Sequence, residues 1–220
     1  MSAARSDREP EEPTFRGFEP AVARFFDGLA RHNTRDWFDA HRDEWRALVK
    51  SPMDALLAEA ESRYGSGRVM RINRDVRFSA DKSPYSTSSS LWAGTVGGVY
   101  LRVSSAGMEV GGGLYEPSRD QLARGRDTID RRPKAAAELA GTLERLQRQG
   151  YEVAGPSLST APRGYPRDHP HIELLRLKHY AALRELPLEA SLDDIRRGWS
   201  AVEPLIDWVG RFVGPAESWP

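Results

Sequence analysis

Leu91-Trp92-Ala93, Val99-Tyr100-Leu101-Arg102-Val103, Ser105-Ala106-Gly107 and Met108-Glu109-Val110 follow one another in the middle of the chain. The first, second and last read as strands, and Ser105-Ala106-Gly107 reads as the turn of a hairpin. Gly111-Gly112-Gly113 comes next and suggests a bulge or bend, or a place where the backbone approaches another group closely. Val69-Met70-Arg71-Ile72 upstream and Tyr151-Glu152-Val153 downstream read as further short strands.

Outward from this centre the pattern turns helical. Val22, Phe25, Phe26 and Leu29 form one stripe after Pro20, which suits a first turn. Thr34 is a good N-cap for a second helix carrying Trp37, Phe38, His41, Trp45, Leu48 and Val49. That spacing predicts that Trp37 and Trp45 are buried on one face. Ser51-Pro52 predicts the restart of a third helix, which Gly65 and Gly67 end. Beyond the glycines, helices are predicted after Pro117 and from Pro133 to Gln149, and Ser191 caps a last one with Ile195, Trp199, Val202, Leu205, Trp208 and Val209. Residues 156–170 read as a long loop, and Leu174–Leu183 fits helix or strand equally. The fold class is therefore α+β: a single domain with a central, mainly antiparallel sheet flanked by N-terminal and C-terminal helices. The expected boundaries are a disordered acidic tail over 1–14, the domain over 15–214 and a C-terminal tail over 215–220.

The 220 residues are 39% hydrophobic and 29% charged, which is a globular composition rather than a disordered one. The net charge is zero, so no global field argues for nucleic acid or an anionic surface. There is no cysteine, which removes disulfides, thiolate metal sites and thiol nucleophiles and suits a cytoplasmic location. No apolar run reaches the length of a membrane span, and the acidic start has no signal-peptide pattern.

Several motifs recur together. Asn33-Thr34-Arg35-Asp36-Trp37-Phe38, with His41 one turn on, opens the second helix. The longest runs from Arg71-Ile72-Asn73-Arg74-Asp75-Val76-Arg77-Phe78 through Ser79-Ala80-Asp81-Lys82-Ser83-Pro84-Tyr85. Gly112-Gly113-Leu114-Tyr115-Glu116-Pro117, Pro162-Arg163-Gly164-Tyr165, Asp168-His169-Pro170 and Leu174-Leu175-Arg176-Leu177-Lys178 complete the set. Together they resemble the family called domain of unknown function 2461, over nearly the whole chain from Phe15, with Tyr115 where that family usually has tryptophan. The resemblance marks positions of interest and implies no activity.

The central motif carries the chemistry. Arg71, Arg74, Arg77 and Lys82 exceed Asp75 and Asp81 in number, and Tyr85 adds a hydroxyl. Arginine forks and a lysine suit a phosphate or carboxylate. The candidate ligand-binding residues are thus Arg71, Arg74, Asp75, Arg77, Asp81, Lys82 and Tyr85, with Arg163 and Lys178. The expectation is that Arg77, Lys82 and one of Arg71 or Arg74 approach a common cleft beside the sheet, with Val76, Phe78 and Pro84 anchoring the loop. The alternative is a structural salt-bridge network in a protein or nucleic-acid interaction module, with nucleic acid the less favoured partner. Asp75, Asp81 and Lys82 do not have the spacing of a nuclease centre, and no adjacent strand supplies a third acid. His169 and His171 lack further ligands for zinc. Gly94-Thr95-Val96-Gly97-Gly98 lacks the lysine of a phosphate loop, and no nucleophile elbow is present. No metal, cofactor or membrane partner is expected, and catalysis and oligomeric state stay open.

Overall fold

Alternation in the central strands separates an apolar face from a polar one. Leu91, Ala93, Val99, Leu101, Val103, Met108 and Val110 are all buried, while Ser90, Trp92, Tyr100, Arg102 and Glu109 between them are only partly covered. Period-two burial of this kind needs a layer on one side only. Helices supply that layer.

The computed structural model describes residues 15–217. Helices α1 (Ala21–Arg31), α2 (Arg35–Ala40), α3 (Arg42–Trp45) and α4 (Ser51–Tyr64) come first. Strands β1 (Gly67–Val69), β2 (Ser88–Gly94), β3 (Gly98–Ser104) and β4 (Gly107–Leu114) follow. Then come α5 (Arg119–Arg131), α6 (Pro133–Arg148), β5 (Glu152–Val153), α7 (Ile172–Leu175), β6 (Tyr180–Leu186) and α8 (Leu192–Phe212). The strands form one antiparallel sheet of six in the order β1-β2-β3-β4-β6-β5. The architecture is α+β, with helices at both ends of the chain around one sheet. Among the described residues no helix is long and apolar enough to cross a membrane. The acidic segment 1–14 lies outside the described residues. Residues 215–217 run against α5, where the Pro215 carbonyl and the Glu217 carboxylate both accept from Arg124.

Two apolar cores share α8. Ile195 and Trp199 join the core built by α1, α4 and strands β2 to β4. Val202, Leu205, Trp208 and Val209 join the core with α5, α6, α7 and β6. A capping box closes the start of α8, with Ser191 Oγ accepting from Asp194 N and the Asp194 carboxylate accepting from Ser191 N. Gly198 lets the helix press on β4, since a Cβ there would lie 2.7 Å from Val110 Cγ1.

Three local readings need correction. A helix does begin at Ser51 with Pro52 in its first turn, but Ser51 does not cap it. A π-helical turn at Arg46–Lys50 carries the chain into α4 without a side-chain cap, and such a turn accommodates the missing N–H of Pro52. Trp37 and Trp45 pack at the margin of the first core and stay partly exposed; the fully buried indoles among the described residues are Trp199 and Trp208. Gly111-Gly112-Gly113 makes no bulge or bend. The triplet stays in register with β3 and β6, and a Cβ on Gly111 would lie 2.0 Å from the Ala182 carbonyl oxygen. Close approach is what these glycines serve.

Candidate functional site

The central motif forms a braced loop. Past β1 the chain pairs again through a bridge between Asn73 and Tyr85, with Arg74 N donating to Pro84 O (2.9 Å) and Ser86 N to Ile72 O (2.7 Å). Ile72 and Tyr85 are buried at this neck, and the Tyr85 ring stacks on Phe38 at 4.2 Å. The side chain of Asn33, before α2, holds the neck from outside. Its Nδ2 donates to Tyr85 O (2.9 Å) and its Oδ1 accepts from Tyr85 N (3.0 Å).

Charges in the loop pair locally. Arg77 grips Asp75 with two nitrogens, at 3.0 Å from Nε and 2.6 Å from Nη2. Arg74 pairs with Asp81, whose Oδ1 also accepts from Ser83 N at 2.9 Å. Hydrogen bonds from Ser83 and Arg74 hold the Asp81 carboxyl well below the usual carboxylate range, and those from Arg77 lower the Asp75 pKa. Lys82 Nζ donates to Val76 O at 3.0 Å. Arg71, Arg163 and Lys178 are exposed. None of these candidates lines the main cleft, which reaches only Arg68 and Met70 at the foot of the loop. Phe78 does not anchor the loop: its ring is 98% exposed, and Ile72 and Tyr85 do the anchoring.

That cleft lies on the open face of the sheet, with a volume of about 1080 Å³. Register fixes its floor. Gly94, Gly98, Gly113 and Ala181 stand in one cross-strand row, a strip of nearly bare backbone. The next row runs Arg68, Trp92, Tyr100, Gly111, Leu183 and Glu152, from β1 to β5. A third holds Ser90, Arg102, Glu109 and Glu185. Charge therefore has a direction across these rows: arginines stand toward β1 and β3, glutamates toward β4, β6 and β5. Arg102 and Glu109 meet in the middle at 2.7 Å. Tyr100 OH and Ser90 Oγ lie 3.0 Å apart, and burial raises the Tyr100 pKa. Tyr115 stands on the rim, its ring stacked on His179 at 5.0 Å and its carbonyl hydrogen-bonded to His179 Nδ1.

The loop and the three cleft rows sit inside the stretch that a family model matches, residues 21–208, under the description "Conserved hypothetical protein (DUF2461)". The chain belongs to the DUF2461 family. No curated protein and no solved structure matches it. In this DUF2461 member the Asp168-His169-Pro170 motif is a local fastening. His169 Nδ1 accepts from His171 N (3.0 Å), which leaves Nε2 to donate to Asp130 (3.2 Å). Among the described residues no three histidine, aspartate or glutamate side chains are grouped to hold a metal. Trp92, Tyr100, Arg102 and Glu109 were not among the residues singled out from the DUF2461 sequence. Their signal was alternation, with Ser88, Ser90 and Trp92 in β2 and Tyr100, Arg102 and Ser104 in β3 at every second position.

Proposed function

We propose that this protein binds a small anionic ligand, bearing a phosphate or carboxylate, on the open face of its sheet. The observation that carries the reading is the row Arg68, Trp92, Tyr100, Gly111, Leu183 and Glu152 beside a strip of bare backbone. A planar or apolar body fits against Tyr100 and the glycine floor, and aromatic faces favour such contacts. Arg68 and Arg102 then take the anion by charge-assisted hydrogen bonds. The Arg/Lys-rich motif contributes by bracing the end of the sheet from which Arg68 and Met70 reach the cleft. Concave, largely apolar sites with a few polar groups are the usual form of small-ligand sites. The reading is one of binding in the cytoplasm, where a cysteine-free chain is at home.

A thermal-shift screen with inorganic phosphate, sulfate, nucleotides and phosphosugars tests it. A ligand at a hundred times its Kd stabilises by about 2.7 kcal/mol, a rise of about 5–10 °C for a chain of this size. Arg68→Ala with Arg102→Ala should abolish the rise. An equal rise in that double variant puts the anion elsewhere, and no rise with any of the probes overturns the reading.

A further inference from the structure

Phe78 is the most exposed large apolar side chain described, and it stands on a loop that is already ordered. The bridge between Asn73 and Tyr85, the Asn33 clamp and the two internal ion pairs hold the loop before any partner arrives. Binding by a preformed element avoids most of the ordering cost that a flexible segment incurs. Phe78 follows Arg77 directly, and the loop from Arg71 to Lys82 carries four cations against two carboxylates. Its chemistry calls for an apolar socket rimmed by acids.

We propose that this loop docks into the sheet cleft of a second copy of the chain. The cleft offers Trp92 and Tyr100 to the Phe78 ring. At its glutamate end, Glu109 is paired with Arg102, while Glu185 and Glu152 form no ion pair among the described residues and face the cations. An anionic ligand held at the arginine end leaves Glu185 and Glu152 without a role. The cleft, at about 1080 Å³, also lies at the upper edge of the ~300–1,000 Å³ range of small-ligand sites, which suits a polypeptide loop. Zero net charge removes long-range repulsion between copies. Loop and cleft are different surfaces, so a two-fold pair makes the contact twice. The proposal uses the cleft of the preceding reading but does not require an anion in it.

Sedimentation velocity over about 1 μM to about 1 mM tests it. The full chain should form a concentration-dependent dimer. Phe78→Ala, at a position too exposed to affect the fold, should weaken it about 30-fold or more, the effect of losing a central aromatic contact. Trp92→Ala should do the same with its melting temperature retained. Mixing the two variants should restore association in part, above that of either variant alone, because one of the two contacts then joins an intact loop to an intact cleft. A wild-type chain that stays monomeric throughout, a dimer indifferent to Phe78→Ala, or a mixture that stays apart overturns the proposal. Anion binding to monomeric Phe78→Ala is measured separately, so either reading can fail alone.

Discussion

Asn33 stands to Tyr85 as a neighbouring strand would, giving one donor and one acceptor to its backbone at 2.9 and 3.0 Å across 52 residues of sequence. A single amide thus closes the neck of the central loop. Asn33→Ala leaves both backbone groups of a buried residue unpaired and should cost about 2–3 kcal/mol. Asn33→Asp keeps the acceptor but turns a carboxylate toward Tyr85 O. It should be at least as destabilising at neutral pH and recover in acid, where a protonated carboxyl can donate. Urea unfolding of the two variants at two pH values reads both effects.

The ion pairs of the loop should contribute little. Arg77 and Asp75 are both more than half exposed, and exposed pairs are screened by water and salt. Arg77→Ala and Lys82→Ala are expected to leave the thermal midpoint unchanged within error. A large drop in either would mean that the loop's charges hold up the core.

Gly113 has a φ of +121°, and a Cβ there would lie 2.1 Å from the Tyr180 carbonyl oxygen. Strain and overlap act together at this position. Gly113→Ala should lose about 3 kcal/mol or more in chemical denaturation. Gly210→Ala is the control, since its Cβ would meet open space on a helix and should be neutral or mildly stabilising.

Acid should loosen α8 early. Hydrogen bonds from Ser191 and Arg197 lower the Asp194 pKa to about 2, and a hydrogen bond from Arg196 lowers that of Glu59. Both folded-state values lie below their unfolded ones, so the stabilisation is complete above about pH 5 and is lost as the pH falls toward the folded values. Asp194→Asn should flatten the acid limb of a circular-dichroism titration. An unchanged limb would remove the capping carboxylate from the acid response.

The fold was legible wherever local patterning and tertiary packing agree. The hairpin at Ser105-Ala106-Gly107 and the Ser191 cap are local signals, and both are present in the structure. Residues 174–183 could not be resolved by periodicity because they divide: α7 ends at Leu175 and β6 begins at Tyr180. The π-helical turn before Pro52 left no trace in the sequence, because a proline suits either a helix start or a distorted turn. At the site, charge density drew the reading to residues 71–85, where neighbours in sequence neutralise one another. The cleft is assembled from residues scattered over six strands. Only the register, set by pairing between distant segments, aligns Arg68 with Glu152.

The placement of β6 beside β4 also bears on the order in which the chain can fold. Strands β1 to β4 are successive neighbours and can zip locally, but β4 must then wait for a strand that begins 66 residues after it ends, past α5, α6 and α7. Loop-closure entropy rises only slowly with such a length, yet non-local pairing is slow. Until β6 and α8 arrive, β4 presents an open edge with three glycines and an apolar face with no helix upon it. That half-built sheet is the species most prone to stick to its own kind during synthesis. Because α8 enters both cores, its arrival ends the exposure of both at once.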